Sequence, residues 1–316
     1  MNAVTRVAAF GAGIAVAFVA AFGTGRLIGP LESVAAPAPH TDMPATGHTP
    51  AQDTGTGGHG DEGHADEGHG AETATPVPAG LSATDQGYRL VAGSGTLTPS
   101  TSARVTFRIL GPDGRAVTGF TTAHEKKLHL IVVRRDLSGF QHVHPVMSAD
   151  GTWAVGLDLS RPGQWRMFAD FDPDGPTGGL VLGTDLAVPG DYSPVALPGA
   201  DASTSVDGFS LRVAGALSPA RAQPVAFTIG RSTGTRPVSL EPYLGAGGHL
   251  VVLREGDLAY AHAHPLTGVS SLAGGAAGLA FQVEAPGPGR YRLFLDFKAE
   301  GVVHTAAFTL DAGTTP

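Results

Sequence analysis

One feature limits the possible folds of this chain more than any other: its second half repeats its first. The run His129-Leu130-Ile131-Val132-Val133-Arg134, followed by Phe140-Gln141-His142-Val143-His144-Pro145, returns as His249-Leu250-Val251-Val252-Leu253-Arg254, then Tyr260-Ala261-His262-Ala263-His264-Pro265. Every histidine and the proline recur at an offset of 120 residues. Val105 and Phe107 match Val225 and Phe227 at that offset, and Trp165–Phe171 matches Tyr291–Phe297 at 126. Repeats drift where nothing holds them, so three histidines kept in step across two copies carry information.

Each copy reads as all-β. Arg104–Leu110, Leu128–Arg134, Trp153–Leu159 and Trp165–Phe171 are short runs of β-branched, aromatic and aliphatic residues bounded by turn residues. Gln223–Ile229, His249–Arg254, Leu279–Glu284 and Arg290–Phe297 follow in the same order. With 46 Gly and 24 Pro in 316 residues, the chain has the turns that many short strands require. The expected fold is mainly β: two tandem immunoglobulin-like or cupredoxin-like β-sandwich modules, over residues 81–190 and 203–316. The Pro/Gly-rich tract from Val188 to Ala202 joins them.

Ahead of the modules the composition changes twice. Val7–Phe22 is apolar, preceded by Arg6 and prolonged weakly to Ile28, so residues 1–30 read as a signal anchor or transmembrane helix. The nearest acceptable cleavage triplet, Val34-Ala35-Ala36, lies far from the apolar run. An uncleaved anchor is therefore favoured over a cleaved signal peptide, with secretion as the alternative. Both place the modules outside the cytoplasm, on a single-pass cell-membrane protein in the favoured case. Residues 31–80 hold eight Asp/Glu and no Lys/Arg, and too few bulky apolar residues to offset chain entropy; a disordered linker is expected. It carries His40, His48, His59, His64 and His69, the last three flanked by acids, a pattern suited to weak metal capture. Those acids account for the net charge of −8, leaving the rest near neutral, with no basic face for nucleic acid.

The chain has no cysteine, so a metal must be held by His, carboxylate, Met or backbone oxygen. His142 and His144 are two residues apart and share one face of a strand. His129 precedes the turn at Asp136–Gly139; if that hairpin sets it across from His144, three imidazoles converge. His249, His262 and His264 repeat the pattern, giving one expected site in each module. The alternative is that these histidines cap strand ends. Asp170 and Asp296, two residues beyond Phe168 and Phe294, are candidates to orient ligand imidazoles from behind. His124 and His304 have no counterpart in the other copy, and His124 reads as a surface residue. Met147 has Thr267 as its counterpart, which argues against a required Met ligand. Three imidazoles without sulfur suit copper(II), zinc or nickel, with copper ahead on affinity and zinc possible at a three-His site. No nucleophile motif, H-E-x-x-H or phosphate loop is present; no catalytic residue and no enzyme activity is expected.

On Leu128–Asp136, Phe140–Pro145, Tyr243–Ala246 with Gly248-His249-Leu250, and Leu293–Phe297, the chain resembles a group of exported, membrane-anchored bacterial proteins with duplicated His-x-His-Pro β-sandwich modules. These are similar in general shape to extracytoplasmic copper-resistance and copper-chaperone sandwiches. The resemblance covers roughly residues 85–312 and implies a heavy-metal association; Met-rich ligand sets common in copper chaperones are missing here. The expected function is extracytoplasmic metal binding that buffers or delivers the ion, its partners being the ion and, through the N-terminal helix, the cytoplasmic membrane. The alternative is a tandem immunoglobulin-like interaction module with structural histidines.

Overall fold

Turn residues and period-2 alternation divide the chain into short antiparallel strands, as a computed structural model describing residues 77–266 and 268–313 records. The first module comprises β1 (Thr84–Asp85), β2 (Tyr88–Ala92), β3 (Ala103–Leu110), β4 (Phe120–Thr121), β5 (Leu128–Arg134), β6 (Gln141–Val143), β7 (Val146–Met147), β8 (Trp153–Leu157), β9 (Gly163–Pro173) and β10 (Leu180–Val188). The second comprises β11 (Ser203–Val206), β12 (Phe209–Ala214), β13 (Gln223–Arg231), β14 (Leu240–Glu241), β15 (Gly248–Arg254), β16 (Tyr260–Pro265), β17 (Ser270–Ser271), β18 (Ala277–Glu284), β19 (Gly289–Ala299) and β20 (Val302–Ala312). The eight strands expected from sequence all form. The anchor at residues 1–30, and the linker at 31–80 except for its last four residues, lie outside the described residues. Among those described, no helix is long and apolar enough to cross a membrane.

The first module is a sandwich of two sheets, ordered β1-β2-β3-β8-β7 and β10-β9-β5-β6, with β4 added to β9. In β3 every second residue is buried, so Val105, Phe107 and Ile109 point inward onto Leu130, Val132, Met167 and Leu182 of the facing sheet. The second module has the same core plan, with Phe227, Ile229 and Phe281 meeting Leu250, Leu293 and Phe308. Its two sheets are joined into one of ten strands because β16 pairs with both.

β5 departs from alternation: all seven residues are buried. A strand is covered on both faces only if something packs outside its sandwich, and here that is the other module. Leu128, Leu130 and Val132 face the first core, whereas Ile131 and Val133 join a third apolar cluster with Phe168, Val251, Leu253, Tyr260 and Phe294. In that cluster Phe140 stacks on Phe294 at 4.0 Å, and Tyr260 meets Phe168 at 5.8 Å, equivalent pairs in the repeat. The modules thus share a buried interface with approximate internal two-fold symmetry, and both belong to one compact unit. Period-2 alternation then places His129 beside Ile131, His249 beside Val251, Asp170 beside Phe168 and Asp296 beside Phe294, all on the interface faces.

Candidate metal centre

The β5–β6 hairpin pairs Ile131 with His142 and Leu130 with Val143, a register that continues to place His144 opposite His129. Paired residues project to the same side, so the three imidazoles of the first module meet at the interface. His129 Nδ1 lies 3.1 Å from His142 Nε2 and 3.2 Å from His144 Nε2. His249 arrives from the other module, its ring stacked on His129 at 5.2 Å and 4.5 Å from that of His142. One ligand nitrogen each from His129, His142 and His249 lie within 4.8 Å of one another, the one such group among the described residues.

The proton positions follow from the partners. His129 Nε2–H donates to the Ala123 carbonyl at 3.2 Å, because a carbonyl can only accept. His142 Nδ1–H donates to Asp296 Oδ2 at 2.7 Å, with the imidazole 1% and the carboxylate 3% exposed. Thr305 Oγ1–H holds the other oxygen of that carboxylate. With those protons spent, His129 Nδ1 and His142 Nε2 face each other as two lone pairs. His249 Nδ1 is buried with no hydrogen-bond partner. A proton between His142 and His129 would relieve one contact; a cation would draw on all three nitrogens at once. Tetrahedral zinc–nitrogen bonds of about 2.0–2.1 Å separate neighbouring nitrogens by roughly 3.3–3.4 Å, close to the 3.1 Å between His129 Nδ1 and His142 Nε2.

Burial keeps the His129, His144 and His249 imidazoles neutral. It lowers the pKa of His129 to about 4, helped by His142, and that of His144 to about 3, helped by His142 and His129. His249 is pushed well below its ordinary value by burial and then by His142. Neutral imidazole is the form that binds metal.

Self-contained triads were the expectation from the repeat, and the structure replaces them with a shared cluster. The cause is a change of strand partner. In the first module β6 stays on β5, but β16 pairs with β15 only at Val252–Ala261 and Leu253–Tyr260. It then crosses to β18, setting His262 opposite Glu284 and His264 opposite Gln282. His262 and His264 are carried outward, parallel and 6.4 Å apart, and His249 is left with the first module's histidines.

The carboxylates are also corrected: Asp296 serves an imidazole of the other module, not its own. Asp170, its counterpart, accepts from the Tyr260 hydroxyl at 3.4 Å, and burial raises its pKa to about 6. His124 is exposed, as expected, but its tight turn also brings its ring to 6.0 Å from both His129 and His249. The matching position is Leu244, so the repeat gave no signal for it. His304 faces Asp207 and the Ala299 carbonyl, and Met147 packs against the first core; neither reaches the cluster. His40, His48, His59, His64 and His69 lie outside the described residues.

A family model described as Domain of unknown function (DUF8832) matches residues 82–178 and again 204–314, one match for each module. No curated protein sequence matches. Among solved structures, the chain is similar to FdeC, an Escherichia coli adhesin, at 12% identity and a TM-score of 0.23, over 73% of this chain and 64% of that one. It is similar to InvD of Yersinia pseudotuberculosis at 14% and 0.22, over 72% and 58%, and to bovine butyrophilin at 10% and 0.20, over 71% and 99%. The chain therefore spans less than two thirds of the first two structures it matches.

Proposed function

The chain belongs to this family of domains of unknown function, and we propose that it is a metal-binding protein that holds one transition-metal ion between its two modules. The observation that carries this reading is the set of buried nitrogens on His129, His142 and His249, within 4.8 Å of one another, with two lone pairs opposed and His249 Nδ1 unpartnered. The ligand set would be those three, with His144 beside them and Asp296 fixing the tautomer of His142. Copper(II) heads the affinity order for such nitrogens, and zinc is the runner-up. The histidines at His40, His48, His59, His64 and His69 would gather ions loosely, and the buried cluster would retain one. This is the chemistry of an extracytoplasmic buffer or carrier, displayed from the cell membrane by the segment at residues 1–30.

The test is metal analysis of full-length protein purified without a His-tag or nickel resin, then titrated with copper(II) and zinc at pH 7.5. One tight ion per chain is expected, lost in the His129→Gln/His249→Gln variant. A melting temperature indifferent to both ions would refute the reading and leave the histidines as structure in an interaction module.

A further inference from the structure

Two members of the interfacial cluster, His129 and His249, line a cleft of about 440 Å³ that is open to solvent, and the displaced second copy of the histidine motif lines it too, with Lys126 and Lys127. Of the histidines that line it, His129 is buried and His249 half-buried. His262 and His264 are exposed and separated by Ala263, so they share a face of β16. Glu284, also exposed, is the cross-strand partner of His262, which brings their Cβ atoms within roughly 5 Å. Exposed side chains are free to change rotamer, so two imidazoles and a carboxylate can close on one ion from this arrangement.

We propose that His262, His264 and Glu284 form a shallow divalent-cation station in the exposed part of the cleft, from which the ion passes to the buried cluster. This rests on the metal-binding reading. An ion entering the buried cluster must give up its water where little solvent follows, and a full loss of hydration in one step is slow. Two imidazoles and a carboxylate replace part of that shell before the ion moves inward, and ligand exchange at an open site with few ligands is fast. The strand switch of β16 has split the duplicated motif, one copy at the site and the other exposed in the same cleft.

The experiment mixes full-length protein with copper(II) held by a chromophoric chelator and follows transfer by stopped flow. His262→Ala/His264→Ala should keep the tight ion at unchanged affinity while loading at least tenfold more slowly, with Glu284→Gln in between. In the His129→Gln/His249→Gln variant, substoichiometric copper(II) should broaden the His262 and His264 imidazole resonances. Equal loading rates in wild type and the double variant overturn the station while leaving the buried site intact. Loss of the tight ion from the double variant also overturns it, making those residues ligands of the site. A wild type that takes up no tight ion refutes the metal-binding reading itself.

Discussion

Removing the His129 imidazole should make the metal-free protein less sensitive to acid, by an amount that follows from its burial. The folded-state pKa of His129 is about 4, against about 6.5 for an unperturbed histidine. The folded value is depressed, so between pH 6.5 and 4 the unfolded chain takes up a proton that the folded chain refuses. Stability falls as pH falls through that window. Between pH 8 and 5 the loss from this residue is about 2 kcal/mol, and it levels off at about 3.4 kcal/mol below pH 4. Asp170 acts in the opposite sense, since its raised pKa of about 6 makes the folded state the better proton acceptor. That contribution is common to wild type and His129→Gln and cancels in their difference. The measurement is urea unfolding in chelator at pH 8 and pH 5 for both proteins. The wild type should lose about 2 kcal/mol more than His129→Gln. Should the variant be too unstable to compare, NMR titration of the His129 ring in the wild type gives the same quantity directly. Equal losses in the two proteins, or a His129 ring that titrates near 6.5, would show that the cluster is wetter than its packing implies.

Asp296→Ala takes the acceptor from behind His142 and should weaken the tight ion by about 10–100-fold in a chelator competition, with the modules still folded; an unchanged affinity would remove Asp296 from the site. Phe294→Ala opens the centre of the interface, where Phe294 is 4% exposed and stacks on Phe140, and should cost about 3–5 kcal/mol. Because the interface is shared, the urea transition should shift as one cooperative step; two separated transitions, only one of them moved, would mean that the modules fold independently.

The sequence by itself determined the local architecture. The repeat dictated two modules, and runs such as Arg104–Leu110 and Arg290–Phe297 become strands because their β-branched and aromatic residues fit a pleated surface and their flanks cannot continue it. The spacing His142-x-His144 placed two imidazoles on one face, and the turn at Asp136–Gly139 brought His129 to them. The sequence also held an unused sign of the interface. Leu130–Val133 and Leu250–Leu253 are unbroken apolar runs, and a strand with no polar face is covered on both sides. What covers it was decided only in three dimensions. Face-to-face packing of two sheets joins residues 154 positions apart, His142 and Asp296, by a contact with no local periodicity to announce it. The same holds for β16: its sequence matches that of the first module, yet it leaves β15 for β18, and that exchange of backbone partners sends His262 and His264 outward. Local pattern sets which face a side chain takes on its own strand; which surface meets that face depends on the whole fold, and the number and place of the sites depend on that meeting.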